Sequence, residues 1–121
     1  MELINIGDMK ETELAKVIKK VPIITDQLIA SVYFISPDRT LPRHTHTDID
    51  EIHYIVDGNG RITIDGTSRN ISKGLLILVP KGSSHFFSAS KNGMTLISLC
   101  PIIRNRKMKT GYNKTSRKEG E

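Results

Sequence analysis

Four glycines, Gly58, Gly66, Gly74 and Gly82, fall at eight-residue intervals through the middle of this chain, with short β-branched or apolar segments between them. That rhythm constrains the fold more than any other feature. Short runs punctuated by turn residues make antiparallel strands, and no helical pattern alternates with them, which excludes a parallel α/β sheet. Residues 28–36, 52–56, 61–65, 75–79, 84–90 and 94–100 read as strands, with tight turns at Asp57-Gly58-Asn59-Gly60, Asp65-Gly66 and Asn92-Gly93. The class is all-β, a sandwich or small barrel. Near the N-terminus Asp8 and Glu11 have capping-box spacing, and Leu14, Val17 and Ile18 form one helical stripe before Pro22. One short amphipathic helix is predicted there, with Lys16, Lys19 and Lys20 on its solvated face.

Into this framework the chain places His44-Thr45-His46-Thr47-Asp48-Ile49-Asp50-Glu51, answered by His85 in Pro80-Lys81-Gly82-Ser83-Ser84-His85. A lone histidine on a strand is usually a surface or satisfied core residue, so the pattern matters more than the residue type. Side chains alternate along a strand, so His44 and His46 share a face, close enough to share an ion. The Asp-rich bend lets Glu51 return on the next strand, and His85 arrives from a third. Three imidazoles and a carboxylate, with no thiolate, suit a divalent Fe, Mn, Ni, Co or Zn and leave positions for water or substrate. On composition alone Asp48 and Asp50 compete with Glu51.

His53 lies two residues beyond Glu51 and shares its inward face, as does Ile55. It reads as a hydrogen-bonded lining residue that orients Glu51, ahead of a fifth ligand or a general base; Glu51 and His53 are the catalytic candidates. By the same alternation Phe87, with Ser83, joins His85 facing inward. Tyr33 and Arg61 either reach a pocket mouth or point outward. An apolar wall of this kind, with Tyr33, Ile55 and Phe87 among its residues, describes a small-molecule pocket.

These residues resemble the cupins, whose two motifs read G-x5-H-x-H-x(3,4)-E-x6-G and G-x5-P-x-G-x2-H-x3-N. The match runs from His44 to Gly58 and from Gly74 to His85, within a motif core of residues 30–101. The resemblance implies a double-stranded β-helix of the jelly-roll type, with metal ligands at His44, His46, Glu51 and His85. It favours Glu51 over the two aspartates. Two positions depart from the motifs: Asp38 stands where the first expects glycine, which affects a turn, and Ala89 replaces the closing asparagine, which touches no ligand. The family includes dioxygenases, isomerases, lyases and decarboxylases as well as non-catalytic storage and sensing modules, so a metal-dependent enzyme acting on a small molecule is expected, with a non-catalytic metal- and ligand-binding module as the alternative. Dimers are frequent in the family, and a homodimer is expected here. No helix-turn-helix pattern points to its transcription factors.

The size fits one domain, residues 1–103. The net charge of +5 sits in one place: residues 104–121 carry seven basic and two acidic side chains, leaving residues 1–103 with 11 of each sign. That tail is polar and cannot bury enough to order itself, and the neutral remainder shows no basic face for specific nucleic-acid binding. No segment has the length of a membrane span or the pattern of a signal peptide, and the single cysteine, Cys100, cannot form an internal disulfide. A cytoplasmic protein with no membrane partner is expected. Cys100 shares a face with Ser98 and reads as a buried, inert thiol. No nucleophile elbow, Walker loop or dinucleotide fingerprint appears.

Overall fold

The computed structural model describes residues 1–10, 16–45 and 48–102, the side chains of residues 43–45 excepted. Among the described residues seven antiparallel strands follow one another: β1 (Val17–Ile24), β2 (Leu28–Ile35), β3 (Thr40–Thr45), β4 (Glu51–Ile64), β5 (Thr67–Ser72), β6 (Leu76–Val79) and β7 (Ser84–Pro101). β4 and β7 are long, 14 and 18 residues, and pair along most of their length. Each changes its other neighbour half-way. The first half of β4 lies between β6 and the second half of β7, which continues to β2 and β1; the second half of β4 lies between β5 and the first half of β7, which pairs with β3. Bending of the two long strands thus turns one sheet into two layers facing a common interior, the double-stranded β-helix.

The bend falls at glycines. The β4–β7 register slips between Ile55 and Asp57 and again between Gly58 and Gly60. Gly58 and Gly93 have φ of 79° and 74°, and a Cβ on Gly58 would run into the Gly93 carbonyl. The segments 57–60 and 92–93, expected as turns, are therefore bulged corners inside continuous strands. Of the three expected turns, Asp65-Gly66 alone is a two-residue hairpin turn, with φ of 47° and 86° between the paired Ile64 and Thr67. Asp38 has φ of 61°, which explains why the first motif prefers glycine at that place.

The predicted N-terminal helix is not formed over Val17 and Ile18. Asp8 belongs to a 3-10 turn, Ile6–Met9, capped by the Asn5 side chain, which accepts from the Gly7 N–H at 2.9 Å. Val17 and Ile18 open strand β1, as their β-branched side chains favour, and Pro22 sits where the β1–β2 register slips on this edge strand. Leu14 and Glu11 lie outside the described residues. Lys19, expected in solvent, is 5% exposed. Strand β5 has five exposed residues and only Ile71 facing in, so it carried little apolar signal.

The interior core gathers Tyr33, Ile35, Ile55, Ile62, Phe87 and Leu96 with their neighbours from both layers. Outside the first layer, Ile6 and Met9 pack on Ile18, Val32 and Phe34, and Lys20 Nζ donates to the Met9 carbonyl at 3.1 Å. The N-terminal strap therefore covers β1 and β2 but stops at Ile97. Ile52, Tyr54, Leu76, Leu78 and Leu99, on the outer face of β4, β6 and β7, are between 41% and 70% exposed.

Candidate metal centre

Strand alternation brings the site residues inward. On β4 the burial pattern begins buried, exposed, buried, exposed, buried, which turns Glu51, His53 and Ile55 into the interior. His85 opens β7 from the opposite layer and is held by its approach: Gly82 at φ of 83° makes the turn, and the Asp65 side chain accepts from the Ser84 N–H at 2.9 Å. Glu51, His53 and His85 meet at 1 to 2% exposure.

Their ligand atoms lie within 4.8 Å of one another. Glu51 Oε1 is 3.0 Å from His53 Nε2 and 3.3 Å from His85 Nε2. Atoms bound about 2.1 Å from one cation sit roughly 3.0–3.4 Å apart when adjacent, so both separations are those of neighbouring ligands. The donor set, imidazole nitrogen and carboxylate oxygen, is one that holds divalent Fe, Mn, Ni, Co or Zn. An ionised carboxylate only accepts, so a hydrogen bond across the 3.0 Å contact is one that His53 Nε2 donates to Glu51. Phe87, fully buried, meets both imidazoles edge-on or nearly so, at ring-centre distances of 5.0 Å to His53 and 6.1 Å to His85.

The expected ligands are placed unevenly. Glu51 and His85 come together as read. His44 is the Cα partner of His85 across β3 and β7, which puts its backbone beside the site; its side chain and His46 lie outside the described residues. His53, read as a lining residue ahead of a ligand, stands as close to Glu51 as a ligand would. The three acids are placed differently: Asp50 accepts from the Lys81 N–H at 2.8 Å on the surface and Asp48 is exposed, whereas Glu51 is buried. Ile49, 4% exposed, anchors the bend on Ile29 and Cys100.

Among the pocket candidates, Tyr33, Ile55 and Phe87 all face inward. Burial first, then the charges of Glu51 and Cys100, push the Tyr33 phenol well above its ordinary value of 10.0. Lys19, its register partner, holds Nζ 5.6 Å from the ring centre. Ser83 is buried, while Arg61 is exposed and lines a groove of about 500 Å³ with Asn59, Asn70, Ile71, Ser88 and Ala89, away from Glu51. Lys19, Ser31 and Ser98 were not singled out for the interior. The signal for them was the inward parity of β2 and β7, legible only once the pairing is known.

Similar structures share this barrel. TT1209 from Thermus thermophilus superposes with a TM-score of 0.77 at 17% identity, over 84% of this chain and 97% of that one. KdgF from Halomonas sp. gives 0.68 at 22% identity, over 82% and 94%. The DMSP lyase DddQ from Ruegeria pomeroyi gives 0.65 at 19% identity, over 75% of this chain and 49% of that longer one. No curated protein sequence matches. The cupin-domain profile matches residues 31–100, which hold every strand except β1 and the first residues of β2; the chain belongs to the cupin domain family.

Proposed function

We propose that this protein is a divalent-metal-dependent enzyme acting on a small molecule, with the metal held by His44, His46, Glu51 and His85 and with His53 beside them. The observation that carries the proposal is the buried Glu51, His53 and His85 group. A carboxylate taken out of water needs compensation, which a cation bound between it and the imidazole nitrogens supplies well. A bound ion would contribute Lewis acidity toward a carbonyl or enolate, or dioxygen chemistry if it is Fe or Mn. The chain supplies the rest. Glu51 and His53 Nε2 share a proton across their contact, Phe87 sets the imidazole planes, and Ile55 and Leu96, with no exposed surface, exclude water. Dioxygenase, isomerase and lyase reactions all fit this chemistry, and a DMSP lyase among the similar structures supports the last. The second reading, a non-catalytic module binding a metal and a small ligand, is favoured by the burial of all three residues to 1 or 2% exposure.

Elemental analysis of protein purified without chelator, beside His44→Ala/His46→Ala and Glu51→Gln/His85→Ala, tests the centre. Near-stoichiometric metal in the wild type alone supports it. The same trace in all three would sink it. Turnover of a small-molecule panel by the loaded protein separates enzyme from module.

The assembly belongs to the same proposal: a homodimer through the bare outer face of β4, β6 and β7. Ile52, Tyr54, Leu76, Leu78 and Leu99 form a patch without charge, contiguous by register. It exposes on the order of 500 Å² of apolar surface, the upper end of what monomers leave bare and much of the ~800 Å² that one side of a standard interface buries. An uncharged patch complements a second copy of itself. The basic tail, with Met108 and Tyr112 almost its only apolar residues after Ile103, is a poor cover for it. A cytoplasmic setting, with Cys100 kept as a thiol, goes with this reading.

A further inference from the structure

His85 reaches Glu51 and His53 by way of one short turn, and that turn is tied to both ends of β4. Asp50, the residue before Glu51, accepts from the Lys81 N–H at 2.8 Å. Asp65, the residue after the strand ends at Ile64, accepts from the Ser84 N–H with its side chain at 2.9 Å and donates its own N–H to the Ser84 carbonyl at 2.9 Å. A straight strand running from Asp50 to Asp65 would span roughly 50 Å. Lys81 and Ser84 are three positions apart, at most about 11 Å when fully extended, and the Ser83 N–H donating to the Pro80 carbonyl at 3.2 Å tightens the turn further. The two aspartates therefore hold a bent β4 closed, end to end, on the residues that lead into His85. Stability alone does not ask for them. Both side-chain bonds are exposed to water, where a hydrogen bond contributes little net stability. At φ of 47° a glycine or an asparagine would make the Asp65-Gly66 turn equally well, so the carboxylate there serves something other than the turn.

We infer that Asp50 and Asp65 are positioning residues of the metal centre, two clasps that set how far His85 stands from Glu51 and His53. The clasps rest on the metal reading only for what that spacing serves. Each acts one position from a ligand: Asp50 precedes Glu51, and Ser84 precedes His85, whose register partner Ile64 precedes Asp65. Releasing either end lets the two ligand-bearing strands spread. Glu51 Oε1 and His85 Nε2 are 3.3 Å apart, so a small shift takes them out of the range of adjacent ligands on one ion. Groups that orient metal ligands without touching the ion govern its affinity and geometry in this way. The partners of both side chains are neutral main-chain N–H groups, so each clasp needs an acceptor oxygen rather than a charge, and the amide of asparagine can replace either carboxylate.

The probe is cobalt titrated into full-length protein, read by calorimetric affinity and by the visible spectrum of the bound ion, which reports its coordination geometry. Asp65→Gly keeps the turn but lacks the acceptor, and Asp50→Ala lacks it likewise. Each should weaken cobalt about tenfold and shift the spectrum, while Asp65→Asn and Asp50→Asn stay within about threefold of wild type. Asp57→Ala controls for general loosening: Asp57 accepts from the Gly58 N–H at 3.0 Å at the bulged corner in the middle of β4, and its loss should leave cobalt affinity and spectrum unchanged. Wild-type affinity and spectrum in Asp65→Gly or in Asp50→Ala overturns that clasp. Equal loss in the asparagine variants would mean charge acting on the ion, and equal loss in Asp57→Ala would mean a loosened sheet; either overturns both. If wild type takes up no cobalt, the metal reading fails by itself. The clasps are then judged on the metal-free chain by the nitrogen chemical shifts of the His85 imidazole, which should move in Asp65→Gly and stay in place in Asp65→Asn; no movement in either overturns them.

Discussion

The two halves of strand β4 are built on opposite plans. In the second half Ile62 faces the interior at 4% exposure and Arg61 faces water, the usual division. In the first half the division is inverted: Glu51 and His53 are buried at 1 and 2%, while Ile52 and Tyr54 are exposed at 43 and 41%. The same backbone geometry serves both. A sequence that turns charge inward and aliphatic surface outward weakens the fold on both faces, and the proposed function gives each face of that half a partner, a cation inside and a second copy outside. The second half has no such need and serves stability.

The largest expected effect lies on the inverted inner face. Glu51→Ala/His85→Ala should reduce metal from near one per chain to a trace by elemental analysis, whereas Ile62→Ala in the ordinary half should leave it unchanged. Chelation of the wild type should lower the melting temperature but keep the β signature in circular dichroism, because the interior apolar cluster remains. Complete unfolding on chelation would make the ion a structural one. On the inverted outer face, Leu76→Glu/Leu78→Glu should weaken self-association about a hundredfold in sedimentation at micromolar concentration, with metal content intact. A wild type that sediments only as a monomer breaks the comparison on that side.

Smaller effects sharpen it. Ile62→Ala should cost ~2–4 kcal/mol in denaturant unfolding, against about 0.5 kcal/mol or less for Ile52→Ala measured in the monomeric variant. Tyr33 gives a pH signature of the enclosed wall. Its phenol ionises near 10.0 in the unfolded chain and only well above that when folded, so the native state keeps a proton that the unfolded chain has released. Stability is unaffected below that value and falls above it, by up to ~1.4 kcal/mol per pH unit, and Tyr33→Phe should flatten the slope. The smallest effect concerns neither half: removal of residues 104–121 should leave melting temperature and metal content unchanged while the isoelectric point falls toward neutrality. Loss of small-molecule binding or turnover on truncation, with metal retained, would instead make the tail a lid over the site.

Much of the site was readable from spacing because alternation along a strand is a local rule. Glu51, His53 and Ile55 share an inward face wherever that strand goes, and so do His85 and Phe87. Composition left Glu51 level with Asp48 and Asp50 and only the family spacing favoured it; the structure buries Glu51 and leaves the two aspartates exposed. Lys19 shows the opposite case. Its neighbours Val17 and Ile18 fit a helical stripe as well as a strand, and only pairing with Tyr33 turned Lys19 inward. Residues 57–60 and 92–93 were read as tight turns because bulged corners and tight turns ask for the same glycines.

By itself the sequence determined the all-β class, the inward parity within each strand, the pairing of a carboxylate with histidines and the confinement of excess charge to the tail. Those depend on residues a few positions apart and on the two-residue period of a strand. Tertiary structure alone decided which parities meet. It bent β4 and β7 into two layers so that His85 reaches Glu51 and His53, set Ser31 beside Ser98, and covered one half of the outer face with Ile6 and Met9 while leaving the other half bare. Contacts between residues tens of positions apart follow from how strands pair and where they bulge, and that is a property of the whole sheet.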